Sequence, residues 1–456
     1  MTDRLTHRTD LTQGSVPRVL LRFALPFLMA NVLQALYGGA DLFVVGQFDD
    51  AASVAGVAIG SQVMQTATGI ITGLTTGTTV LIAIGTGARD ERQVARTIGT
   101  ATWVFALMAV VLTAVMALGH TPLARLMQTP PEALRDTEHY LLVCSLGIPF
   151  IMGYNVVCGI LRGLGDSRTP LYFVALACVA NIVLDFALVG GLGLRAMGAA
   201  IATVLAQAAS FVTALWFLRR KGLGVPFTRS DVRPARRLTR QMLTLGTPLA
   251  LQDALINVSF LLITVIANQM GVVASASVGV VEKIIVFAML PPMAIASAVA
   301  TMTAQNYGAG LVSRMKQCLR AGIAMALAFG VAVCLYAQFL PETLTGIFTH
   351  DAAVVAMAAD YLRSYSFDCI AVAFVFCFNA YFSGQGNSWF PMTHSVVATF
   401  TCRIPLAFWF SRLWPATLLP MGFASPLATA VSMLLCFWFV GRSDRRLAAQ
   451  FAGRGA

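Results

Sequence analysis

Asp41, Asn181 and Asp185 carry the clearest chemical signal in this 456-residue sequence. Each interrupts a long apolar run, and an ionisable group inside a bilayer is costly enough to mark function by default. Gln34, Tyr37 and Asp41 are three and four residues apart, so they share one helix face. Asn181 and Asp185, four apart, do the same. A carboxyl on such a face, out of bulk water and beside other hydrogen-bonding groups, is suited to load and unload a proton. Asn155 and Thr203 are weaker signals of the same kind, read as cavity lining or as glue between helices. Pro26 opens the run that bears Asp41 and removes a helical hydrogen bond, which supplies a hinge. In the second half, Glu282 is placed to attract a cationic substrate. Its neighbour Lys283 points about 100° away, so the two pair poorly. Asp253, Asp368 and Arg403 also lie in or near apolar runs, and Arg403 reads as a structural counter-ion.

These residues need long membrane helices to position them. Hydrophobic residues make up 57% of the chain and charged residues 11%, against roughly 25% charged in soluble domains. Twelve apolar spans are expected, at 19–43, 53–84, 98–119, 138–160, 170–192, 197–218, 241–268, 276–306, 320–340, 356–382, 391–412 and 418–440. Each reaches or exceeds the roughly 20 residues that cross a bilayer. With the N-terminus inside, 24 of the 31 Lys and Arg residues fall in cytoplasmic segments and five outside. That asymmetry places both termini in the cytoplasm. The net charge of +11 is thereby assigned to topology and anionic lipid, and nucleic acid is excluded as a partner. Residues 1–17 are polar and the first apolar run is too long for a signal peptide, so insertion is expected to rest on the helices themselves. The nine cysteines show no CxxC or Cys/His spacing, which argues for small hydrophobes and against a metal site.

The halves repeat. Pro26 has a counterpart in Pro248. Gly85-Thr-Gly87-Ala, followed by Arg89 and Arg92, answers to Gly308-Ala-Gly310, followed by Arg314 and Lys316. Arg162-Gly-Leu-Gly-Asp-Ser-Arg-Thr-Pro170 answers to Ser383-Gly-Gln-Gly-Asn-Ser-Trp-Phe-Pro391. The expected fold is all-α and integral to the membrane, with twelve transmembrane helices in two pseudo-twofold related six-helix bundles. The expected division is 1–218, a basic linker at 219–240, and 241–456. Duplicated bundles around a midplane site suit alternating access. One decoy arises: Gly163-Leu-Gly-Asp166 matches the GxGD of intramembrane aspartyl proteases. Neither the second aspartate in a YD pair nor a PAL sequence occurs, and the glycines fit turn chemistry. No catalytic residues and no enzyme activity are expected.

The whole chain resembles the multidrug and toxic compound extrusion (MATE) family, on the strength of twelve spans, two repeats, Pro26, the Arg162–Asp166 turn and Gln305-Asn-Tyr-Gly-Ala-Gly310. The resemblance implies antiport of organic cations against protons or sodium. In the family's DinF-like branch, an aspartate in span one and an Asn/Asp pair in span five form a proton-linked cluster, matched here by Asp41, Asn181 and Asp185. Gln34, Tyr37, Asn155 and Thr203 look like its companions. The NorM-like branch puts a glutamate in span seven and an aspartate in span ten. Here Asn257 occupies the first position and Asp368 lies about one turn early, so the DinF-like branch is favoured. The expectation is a monomeric, proton-coupled exporter of amphipathic cations in the cell inner membrane. It needs no cofactor beyond an ion gradient, and its coupling chemistry is confined to the first half. Alternatives are a lipid-linked oligosaccharide flippase, which would want more cavity cations than Lys283 and Arg403 provide, and a channel or receptor.

Overall fold

The structure, a computed structural model, describes residues 9–452. The chain ends that bear the orientation argument, including Arg4, Arg8 and Arg454, lie outside the described residues. The apolar runs form helices because only a helix satisfies every backbone N–H and C=O within one segment when water is absent. In chain order they are α1 (Val16–Phe48), α2 (Ala51–Gly87), α3 (Glu91–Leu118), α4 (Pro131–Gly163), α5 (Arg168–Asp185, continuing as a π turn over Phe186–Gly191) and α6 (Arg195–Lys221). The second half continues with α7 (Arg236–Gln269), α8 (Val272–Gly308) and α9 (Val312–Phe339). Helix α10 has two arms, Ala352–Tyr365 and Asp368–Gly384, bent by 45°. Helix α11 runs Trp389–Ala398, a π turn over Thr399–Arg403, then Ile404–Leu413, and α12 runs from Leu419 through Ala424–Ala452. Ten of these are long and apolar enough to span alone, and the bent α10 makes eleven. Helix α11 completes the expected twelve. Its ladder breaks at Pro405, which has no N–H to offer the Thr401 carbonyl.

The repeat is visible in the element starts. Ala51 and Val272, Glu91 and Val312, Pro131 and Ala352, and Arg168 and Trp389 are each 221 residues apart. So are the short helices His120–Leu126 and Pro341–Thr345.

The chain forms two compact units, and their borders fall inside helices rather than at residues 219–240. Unit 1 contains Leu25–Ala250, and unit 2 contains Leu11–Ala24 with the residues from Leu251 onward. The borders sit beside Pro26 in α1 and Pro248 in α7, so the early part of each helix packs with the other unit. Tertiary contact, not chain order, assigns these segments.

In unit 2 the segment before α1 is tied down. Gly14, at φ +77°, turns the chain. Arg314 of α9 then donates to the Gly14 carbonyl at 2.9 Å and the Gln13 carbonyl at 3.1 Å, while its Nε reaches Asn306 Oδ1 at 3.2 Å. The Asn306 amide reaches the Leu11 carbonyl at 3.2 Å. Hydrogen bonds from a charged donor contribute about 1.5–3 kcal/mol each when well formed. Arg314→Ala should therefore raise amide exchange at Leu11–Gly14 by tenfold or more on about 1.4 kcal/mol lost. Unchanged exchange there would sink this account of the anchor.

Candidate functional site

In unit 1, α1 carries Asp41 to the interior, where its residue is 4% exposed. Helix α5 supplies Asn181 and Asp185, both 0% exposed, and α6 supplies Thr203. The Thr203 hydroxyl donates to Asp41 Oδ2 at 3.2 Å. Asp185 and Asn181 also act on the Asp41 carboxyl. Their contact falls short of good hydrogen-bond geometry: Asp41 Oδ1, both Asp185 oxygens and both Asn181 amide atoms lack a direct partner. The three residues expected to work together are thus brought together from two helices.

Local structure explains the arrangement. Asp185 is the last residue of α5 before the π turn Phe186–Gly191. Such turns widen a helix by one residue and recur at functional sites. Helix α6 lies close against α4 because Gly147 has no side chain: a Cβ there would strike Val204, the neighbour of Thr203. Behind Asp41, Tyr37 engages Thr203 and Gln207. Tyr140 and Cys144 of α4 lie within the field of Asp41, and Tyr140 bonds Ser61 at 2.9 Å.

Gln34 and Tyr37 also line a small recess with Tyr154, Val174, Ala177, Cys178 and Gln207. Gln207 was not singled out in the sequence. Its signal was its place four residues after Thr203, as an amide within the apolar middle of its helix. Asn155 takes a different part: its amide donates to the Ile151 carbonyl of its own helix at 2.8 Å. Pro26 is buried within a continuous α1. Glu282 belongs to unit 2, where its neighbours are Thr264 and Arg403.

No basic side chain is among the described groups that act on Asp41 or Asp185. Arg195, at the start of α6, is engaged elsewhere. It pairs with Asp49 at 3.0 Å and with Asp50, both in the α1–α2 turn. The Ser53 amide, and then Arg195, hold the exposed Asp50 carboxyl below its ordinary range. Two carboxyls without a cation, in an apolar interior, have the chemistry to take up a proton or to attract a cation.

Twelve apolar helices in two units, with the carboxyl cluster inside the spans, define a multi-pass membrane protein whose polar chemistry lies within the bilayer. A family model described as MatE matches residues 26–187 and 248–409, once in each repeat. The chain belongs to the MatE family. It is 26% identical over 435 residues to the probable multidrug resistance protein YoeA of Bacillus subtilis, covering 94% of each chain. It is also 26% identical to the probable multidrug resistance protein NorM of Thermotoga maritima, covering 96% of each. A crystal structure of MATE in the straight conformation superposes with a TM-score of 0.91 at 23% identity, over 98% of this chain and 100% of that one, which shows the shared fold.

Proposed function

We propose that this protein is a secondary active antiporter of the cell inner membrane, exporting amphipathic organic cations in exchange for protons by alternating access. The observation that carries the reading is the buried Asp41–Asp185–Asn181–Thr203 cluster with no basic side chain acting on its acids. Its relatives' names, which speak of multidrug resistance, point the same way. Coupling through unit 1 corresponds to the DinF-like branch, with protons as the driving ion and sodium as the competing candidate. The chain acts as a monomer with both termini in the cytoplasm.

In the outward-open state a proton from outside adds to the cluster at Asp41. One negative charge disappears, and the incompletely bonded Asp185 and Asn181 side chains re-pair around the neutral carboxyl. A bound cation loses its counter-charge and leaves outward. Pro26 gives α1 freedom to bend, because the Arg22 carbonyl has no N–H at position 26 to hold it. On the inward side the proton leaves and a new cation binds. A membrane potential of about 100 mV adds roughly 2.3 kcal/mol for each charge moved. The cation-free cluster disfavours a carrier of anionic pyrophosphate lipids.

The test is efflux of ethidium from proteoliposomes, with proton and sodium gradients imposed separately. A proton gradient should drive uphill export and a sodium gradient alone should not. Dye movement that never exceeds equilibration would overturn antiport in favour of a channel.

A further inference from the structure

Helix α10 breaks where its own sequence gives no reason to break. Its arms, Ala352–Tyr365 and Asp368–Gly384, meet at a bend of 45°, yet residues 352–383 contain neither proline nor glycine. A sharp bend without either points to a group inserted into the helical ladder. That group comes from α9. The Gln338 amide donates to the Arg363 carbonyl at 2.7 Å and to the Ser366 hydroxyl oxygen at 2.9 Å. Ser366 donates to the same Arg363 carbonyl at 2.8 Å, and the Cys334 sulfur of α9 lies 3.5 Å from the Ser366 oxygen. An unbroken helix would bond that carbonyl to the Phe367 amide. Among the described residues no such backbone bond is made. The ladder resumes in tighter three-residue turns, from Cys369 to Ser366 at 3.0 Å and from Ile370 to Phe367 at 3.2 Å.

The duplication supplies an internal control. At the 221-residue interval α4 answers to α10, Ser145 to Ser366, and Ala117 of α3 to Gln338. Helix α4 is continuous from Pro131 to Gly163, although Pro149 lies inside it. Ser145 donates back to the Leu141 carbonyl of its own helix, and Ala117 has no side-chain donor to offer. The helix with a proline is whole, and the helix without one is broken. The spacing of the neighbouring helix differs as well. A Cβ on Gly330 of α9 would strike the Cys369 carbonyl, whereas α3 carries Ala109 at that position. The broken ends are held by different helices. Arg403 of α11 donates to the hydroxyl of Tyr365, the last residue of the first arm, at 3.3 Å. Ser425 of α12 donates to Asp368, the first residue of the second arm, at 3.1 Å.

We propose that α10 is a two-state element, bent when Gln338 holds the Arg363 carbonyl and straight when the Phe367 amide takes that carbonyl back. Gln338 selects the state. One hydrogen bond replaces another of the same kind, so the two states lie close in free energy. A change of state moves Tyr365 relative to Asp368, and with them their partners on α11 and α12. The switch goes beyond the antiport reading and does not rest on it, because all its parts lie in unit 2 and none needs a proton or a substrate.

The test is a spin–spin distance measurement on the full-length protein in lipid. Labels are placed at Ala353→Cys and Trp389→Cys, exposed positions beside the two ends of α10. Cys402→Ser removes the one native cysteine that is not buried. Straightening the 45° bend lengthens this span by roughly 3–4 Å, at a rise of about 1.5 Å per residue in each arm. The parent should show the bent distance as its main population, with a minor longer one. Gln338→Met keeps the size of the side chain and removes the donor, so only the longer distance should remain. Ser366→Ala removes one of the two acceptors of the Gln338 amide, so the longer fraction should rise. That milder variant decides the matter if Gln338→Met does not fold. A parent with a single population, or a parent-like distribution in the variants, overturns the proposal. Ethidium efflux does not enter this readout, so failure of the antiport reading is seen separately.

Discussion

Asp41→Asn should abolish pH-driven export from proteoliposomes while leaving the protein folded. The substitution is close to isosteric, and the Asn side-chain oxygen can still accept the Thr203 hydroxyl that reaches Asp41 Oδ2 at 3.2 Å. What disappears is the capacity to bind and release a proton. One pH unit corresponds to about 1.36 kcal/mol, or a tenfold concentration ratio. The variant should lose that tenfold accumulation for each pH unit imposed and retain only downhill leakage. Its Tm should stay near that of the parent, because removing one of two adjacent buried carboxylates relieves like-charge crowding. Undiminished pH-driven efflux would sink the coupling role of Asp41 and move the search to Asp185.

Gly77→Val should produce the largest loss of stability. Helices α2 and α7 meet backbone to backbone in unit 1. A Cβ on Gly77 would lie 2.6 Å from the Gly246 nitrogen and 2.7 Å from the Met242 carbonyl oxygen. Gly73 faces Ala250 in the same way, with 2.6 Å to its backbone. Neither neighbour is a flexible side-chain tip that can swing aside. The sequence pattern is Gly73-xxx-Gly77 against Gly246-xxx-Ala250, small residues at the spacing that lets membrane helices approach closely. Overpacking costs about 1–3 kcal/mol where side chains yield, and a backbone neighbour yields less. A drop in Tm in detergent, together with loss of the monodisperse species, is the expected outcome. A parent-like Tm would show that α2 and α7 can part without penalty.

Composition alone determined that this chain crosses a membrane, since 11% charged residues cannot clothe a soluble surface of this size. Spacing determined more. The halves of the carboxyl cluster were legible because Asp41, and then Asn181 with Asp185, break apolar runs at helical intervals. The duplication was legible in turn residues such as Gly163-Leu-Gly165 and Gly384-Gln-Gly386, because glycine is needed where φ is positive, as at Gly165 and Gly386.

Other features depended on contacts between distant segments, which periodicity does not encode. Only the tertiary structure showed that Asn155 is bonded to its own helix and that Gln207 belongs beside Tyr37. Only contacts could assign the start of α1 to unit 2 and the start of α7 to unit 1. The surroundings of Arg403 were also invisible in one dimension: the Phe260 ring of α7 and the Tyr365 hydroxyl of α10 meet it on α11 only when those helices pack together.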